Sequence, residues 1–120
     1  MHYVIDAGVA VKWFVPELDS IIAQQLLERH LQGLDVLIAP DLLVPECTNV
    51  FWRRCRQGDI TVQEATESLT DLLALNLLLI PTTSLAQVAL QLALQYQRTV
   101  YDALYLALVQ LLRHWQPPPS

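Results

Sequence analysis

With 120 residues the chain is one domain, long enough to bury a real core. It is 53% apolar and 16% charged with a formal net charge of −5, which excludes a generic charge-driven nucleic-acid binder and leaves such binding to local contacts aided by metal. No basic segment followed by an apolar stretch opens the chain and no apolar run approaches a membrane span, so neither a signal peptide nor a membrane partner is read and a cytoplasmic location is expected.

Residues 3–6 read as a short buried strand, and 7–14 as an apolar stretch that Pro16 ends. Asp19 or Ser20 can cap a helix to about residue 32, with Ala23, Leu26, Leu27 and Leu31 on one face and Gly33 as its stop. Residues 36–39 form a second buried strand, closed by Pro40. Asp41 opens a long helix to about residue 57, with Pro45 in its first turns, where a missing N–H costs least. Thr61 and Glu64 make a capping box for a helix to about residue 74. Residues 77–80 are a third strand, and Ser84 with Gln87 forms a second capping box for a helix to about residue 96. A last helix opens at residues 99–102 and runs to about 115. The prolines that follow cannot continue it, which divides the chain into a domain of residues 1–115 and a Pro-rich tail of residues 116–120. Strands alternating with helices predict an α/β layer fold with a parallel sheet. Cys47 and Cys55 fall on one helix, about 12 Å apart along its axis, too far to bridge. No Cys or His pair has zinc-like spacing.

Three acids stand beside apolar runs. They are Asp6 in Tyr3-Val-Ile-Asp6, Glu46 in Val44-Pro-Glu-Cys47 and Asp102 in Val100-Tyr-Asp-Ala-Leu104. A carboxylate in such surroundings is partly desolvated and needs a compensating partner. A hard divalent cation, Mg²⁺ or Mn²⁺, is one such partner, because hard cations take oxygen ligands. Each acid also has a plainer reading. Asp6 can cap the helix after its strand, Glu46 can favour a helix dipole already served by Asp41, and Asp102 can form part of a box with Thr99. Against the plainer reading, Asp6 falls where a strand hands over to helix, and ligand crevices in open α/β sheets lie outside the carboxyl ends of strands.

In their local contexts the three acids resemble a known family. The segments Tyr3-Val-Ile-Asp-Ala-Gly-Val-Ala-Val-Lys-Trp-Phe14, Pro40-Asp-Leu-Leu-Val-Pro-Glu-Cys-Thr-Asn-Val50 and Thr99-Val-Tyr-Asp-Ala-Leu-Tyr-Leu-Ala-Leu108 resemble those of PIN-domain proteins of the kind found as toxins in VapBC-type toxin–antitoxin pairs. The resemblance runs from residue 1 to about 109. It implies a three-layer α/β/α sandwich with a short parallel sheet and a metal-dependent ribonuclease that cleaves RNA phosphodiesters with an activated water. Asp6, Glu46 and Asp102 match the family's acidic positions as catalytic residues and metal ligands, and Asn49 matches a supporting polar position. Which acid accepts the water's proton stays open. A cognate antitoxin is the implied protein partner.

Two departures accompany the match. Members carry a further strand after the last helix, ending in Thr-x-Asp, and this chain has no counterpart of that strand or of its fourth acid. Gly8 stands where a Ser or Thr is usual. They keep a second reading open: a weakened PIN-like remnant that binds RNA or a partner protein without efficient cleavage, or an inert oligomeric fold. Without the further strand, residues 3–6 form a sheet edge. Leu104, Leu106, Ala107, Val109, Leu111 and Leu112 wrap most of the last helix. Together these predict a homodimer or higher oligomer.

Arg53, Arg54 and Arg56 follow Glu46 on its helix. They can contact RNA phosphates, or form a solvated helix end favoured by the dipole, which is the reading we prefer. Trp13, Phe14, Phe51, Trp52 and Trp115 can stack on bases but are commoner as packing residues.

Overall fold

The computed structural model describes residues 1–15 and 20–114. Its middle strand organises the rest. β2 (Val36–Pro40) is a continuous apolar run in which Leu37, Ile38, Ala39 and Pro40 are all buried, as a strand covered on both faces must be. β1 (His2–Val4) and β3 (Leu78–Ile80) flank it in parallel, in the order β1-β2-β3, with Tyr3 opposite Leu37 and Ala39 opposite Leu79. Successive side chains of a strand point to opposite faces. Leu37 and Ala39 therefore enter one core, with Ile5, Val11, Leu43, Phe51 and Leu72, while Ile38 enters the other, with Ala89, Ala103, Leu104 and Leu108.

The helices divide accordingly. The first core is covered by α1 (Ala7–Val11), α3 (Leu43–Arg56) and α4 (Val62–Leu73), with α2 (Ser20–Leu31) packing Leu26 against it. The second core lies under α5 (Ala86–Tyr96) and α6 (Val100–His114). This is the expected α/β/α sandwich with a short parallel sheet. Among the described residues no helix is long and apolar enough to cross a membrane.

Several local expectations are met by visible chemistry. Thr61 Oγ1 accepts from the Glu64 N–H and Glu64 Oε1 accepts from the Thr61 N–H, both at 3.0 Å, which completes the capping box of α4. Gly33 takes a φ of +75° just past α2, a left-handed stop that glycine adopts without strain. Cys47 and Cys55 are both free thiols on α3.

Other expectations are corrected. β1 ends at Val4, not at residue 6, because Asp6 turns out of the sheet to cap a helix. That helix occupies the first part of the apolar 7–14 stretch. Leu31, expected on the buried face of α2, is exposed, and Ala23 is the residue buried there. Asp41 does not serve α3, which begins at Leu43 with no side-chain cap; its Oδ1 accepts from the Thr82 N–H at 3.0 Å and ties the end of β2 to the segment after β3. Ser84 caps nothing. A 3-10 turn at Thr82–Ser84 precedes α5, whose start is set by the buried Leu85. Asp19, Trp115 and the Pro-rich tail lie outside the described residues.

Asp35 joins the start of β2 to two distant points. It is buried, its Oδ2 accepts from Arg29 Nε at 2.5 Å, and its Oδ1 lies 3.3 Å from the N-terminal amine. His30 acts beside it. Its Nδ1 accepts from the Leu37 N–H at 3.3 Å and its Nε2 donates to the Leu75 carbonyl at 2.8 Å, so α2, β2 and the α4–β3 connection meet on one ring.

The Arg29 hydrogen bond, reinforced by the N-terminal amine, holds the Asp35 carboxyl below its ordinary range, against the opposing effect of burial. A carboxyl lowered on folding contributes stability above its unfolded value, and that contribution is lost as pH falls through the folded value. Asp35→Asn is therefore expected to lower Tm at neutral pH, with the gap to the parent closing as pH drops below about 3.8. Thermal melts across pH check this; a gap independent of pH would show that Asp35 acts by packing alone.

Candidate active site

Each of the three acids stands where a helix begins. Asp6 is extended (φ −107°) and its Oδ1 accepts from the Val9 N–H at 3.0 Å, capping α1. Glu46 lies in the first turn of α3, just past the end of β2. Asp102 lies in the first turn of α6, where its own N–H donates to Thr99 Oγ1 at 3.1 Å. Because β1 and β2 are parallel neighbours, their chains leave the sheet at the same edge. α6 packs across both strands. Asp6, Glu46 and Asp102 consequently line one cavity of about 350 Å³, together with Ala7, Gly8, Arg98, Tyr105 and Leu106. Its place is the crevice outside the carboxyl ends of the strands.

The plainer readings survive beside this one without exhausting the carboxylates. Capping engages only one oxygen of Asp6. The Thr99–Asp102 box forms in one direction only: the Thr99 hydroxyl is used, and the Asp102 carboxylate makes no hydrogen bond to a described residue. Asn49 is exposed one turn beyond Glu46 and is not among the residues lining the cavity. Arg53 and Arg54 line an adjoining cavity of about 560 Å³ with Lys12, and Ala7 and Gly8 line both cavities. Arg54 also pairs with Asp59 at 3.3 Å. Arg56 lies 5.4 Å from the centroid of the Trp52 ring and lines neither cavity. Of the other aromatics, Phe51 is buried, Phe14 stacks edge-on against it at 5.7 Å, and Trp13 Nε1 donates to the Ala23 carbonyl at 2.7 Å. These three are packing residues.

Two lining residues were not singled out from the sequence. Tyr105 donates its hydroxyl to Glu46 Oε1 at 2.5 Å. Burial first, and the Glu46 hydrogen bond second, push the phenol well above its ordinary value, so it stays protonated and its O–H is always available to the carboxylate. Tyr105 lies one helical turn after Asp102, and that spacing places both on one face, a signal present in the sequence. Arg98 precedes α6, after the left-handed Gln97, and among the described residues is the one cation lining the acidic cavity. No periodicity marks it.

The donor set decides what the cavity can hold. Three carboxylates offer hard oxygen ligands only, and burial raises the neighbouring Cys47 thiol to about 12, which removes it as a thiolate. Among the described residues no three His, Cys, Asp or Glu side chains converge tightly enough to enclose an ion. Such an open set suits a hydrated Mg²⁺-like cation, which keeps several waters and needs only one or two direct carboxylates. Gly8 lies close against Asp6: a Cβ there would meet Asp6 Oδ1 at 3.2 Å, tighter than ordinary contact.

A protein-family model described as PIN domain matches residues 3–113. A relative, Ribonuclease VapC3 of Pyrobaculum aerophilum, is 34% identical over 113 residues, spanning 92% of this chain and 82% of the relative.

Proposed function

This chain belongs to the PIN-domain family, and on that premise we propose that it is a Mg²⁺- or Mn²⁺-dependent endoribonuclease, the toxin of a toxin–antitoxin pair with a cognate antitoxin protein as partner. The observation that carries the reading is the meeting of Asp6, Glu46 and Asp102 on one cavity wall, from three elements far apart in sequence. The relative's name supports ribonuclease activity. RNA as substrate assigns its action to the cytoplasm; among the described residues no helix is long and apolar enough to cross a membrane.

The three carboxylates would hold a hydrated cation, directly or through its waters, and the cation would supply charge relief on the phosphate and make water more acidic. The protein's own groups do the rest. The Val9 N–H holds one oxygen of Asp6 and leaves the other without a hydrogen bond to a described residue. The Tyr105 hydroxyl fixes Glu46 in the same way. Asp102, neither of whose oxygens is engaged by a described residue, is our assignment for the water's proton. Arg98, on the wall of the acidic cavity, is our assignment for a phosphate oxygen. Arg53 and Arg54, with Lys12, flank the acids and are assigned to backbone phosphates. Arg56 is left to its stack on Trp52, and Asn49 to a supporting polar role beside Glu46.

The weakened remnant that binds without efficient cutting is the second reading. It is favoured by the absence of a converged three-ligand cluster among the described residues and by Gly8, which has no hydroxyl.

Assembly follows from the surfaces left open. β1 is an edge of the sheet among the described strands. On α6, Ala103, Leu104, Ala107 and Leu108 are buried, while Leu111 is 49% exposed beside an apolar cleft it shares with His2 and Leu78. We assign this side to a homodimer or higher oligomer, as an unprotected edge invites pairing.

Millimolar Mg²⁺ or Mn²⁺ is expected to raise Tm, by about 2.7 kcal/mol of stabilisation at 100 times Kd. Asp6→Asn with Asp102→Asn is expected to abolish the rise, and chelation or Asp6→Ala to abolish cleavage of single-stranded RNA. Tyr105→Phe is expected to lower kcat by about 10- to 100-fold, the usual effect of freeing a ligand's outer partner. A metal-dependent Tm rise without any cleavage would select the remnant; metal-independent cutting would overturn both readings.

For assembly, sedimentation at micromolar concentration should give a dimer or larger species. A monomer throughout would remove the proposed interface.

A further inference from the structure

A groove of about 620 Å³ runs between α5 and α6, lined by Tyr96, Arg98, Leu106, Val109, Arg113 and His114 among others. It meets the acidic cavity at Arg98 and Leu106, which line both. On the opposite side the acidic cavity meets the one lined by Lys12, Arg53 and Arg54, through Ala7 and Gly8. The three acids therefore sit midway along a trough with cations in both arms.

The placement of charge is selective. The chain carries only 7 Lys and Arg against 12 Asp and Glu. Lys12, Arg53, Arg54, Arg98 and Arg113 all line the trough. The two others are occupied elsewhere, Arg29 on Asp35 and Arg56 on Trp52. Lys12, Arg53, Arg98 and Arg113 make no ion pair with a described residue. Unneutralised cations gathered along one trough of an acidic protein are the footprint of a polyanion. The α5–α6 arm adds what a single strand requires beyond charge. Tyr96 is 58% exposed, and Leu106 and Val109 offer partly exposed apolar wall, so a base can stack while its phosphates meet arginine.

We propose that the α5–α6 groove binds the segment of single-stranded RNA on one side of the scissile phosphate, with Arg98 and Arg113 on its backbone and Tyr96 against a base. The strand then passes through the trough instead of ending at the acids, and the cut is internal. This extends the ribonuclease reading and rests on it.

Arg113 lies in the last turn of α6 and does not line the acidic cavity, so it separates strand binding from chemistry. The test is fluorescence anisotropy of a labelled single-stranded RNA on the full chain, with divalent ions chelated and salt varied, alongside steady-state cleavage. Arg113→Gln should weaken binding and reduce the slope of log K against log salt by about 0.7, the value of one single-strand phosphate contact. It should raise KM with kcat unchanged. Arg113→Lys should restore the slope, which a merely structural role would not require. Tyr96→Leu should weaken binding with the slope unchanged. Circular dichroism melts establish that each variant is folded. Unchanged affinity and slope in Arg113→Gln, with parent cleavage intact, would overturn the groove while leaving the ribonuclease reading standing. A parent chain that cuts nothing, yet loses slope in Arg113→Gln, would do the reverse. Unchanged RNA binding with an altered sedimentation coefficient would assign the groove to a second copy of the chain and overturn the proposal.

Discussion

Parallel pairing of β1 with β2 is the constraint on which the rest of the molecule depends. It makes two strands leave the sheet at one edge, and so brings Asp6 and the start of α3 together although 40 residues separate Asp6 from Glu46. The same pairing buries β2 on both faces, which requires a helical layer on each side. α6 belongs to the second layer, and its first turn carries Asp102 to the same edge. The site is therefore a consequence of topology. Two of its acids come from helices that begin where parallel strands end, and the third from α6, which follows α5.

Gathering three carboxylates is electrostatically unfavourable, and the structure shows how the first two are held. A backbone N–H takes one oxygen of Asp6, and a half-buried phenol that stays protonated takes one oxygen of Glu46. Both bonds orient the acid without neutralising it. Arg98 adds one positive charge at the wall. Hydrogen bonds to ionised groups are stronger than neutral ones, so the orientation persists even in a partly open cavity. All three acids line a space of about 350 Å³.

Much of this was legible from local pattern. The apolar runs predicted all three strands, and Thr61 with Glu64 predicted its helix start through a reciprocal bond that forms as expected. The acids were legible because each interrupts an apolar segment at a strand-to-helix or loop-to-helix transition. Tertiary demands account for the misses. Asp41 looked like a helix cap, but its carboxylate is used 41 residues away, at Thr82. Ser84 looked like another, yet burial of Leu85 sets the turn that precedes α5. Arg98 could not be recognised as a wall of the acidic cavity, because nothing in a lone arginine between two helices says which cavity it will line. Tyr105 could have been found from its spacing to Asp102, although its partner on α3 could not.

The most direct measurement of the central claim is anomalous scattering from crystals grown or soaked with Mn²⁺. Bound at the site we assign, the ion gives an anomalous peak in the cavity between Asp6, Glu46 and Asp102, lost in Asp6→Asn with Asp102→Asn. A fully occupied peak elsewhere on the molecule, with none between the three carboxylates, would contradict it.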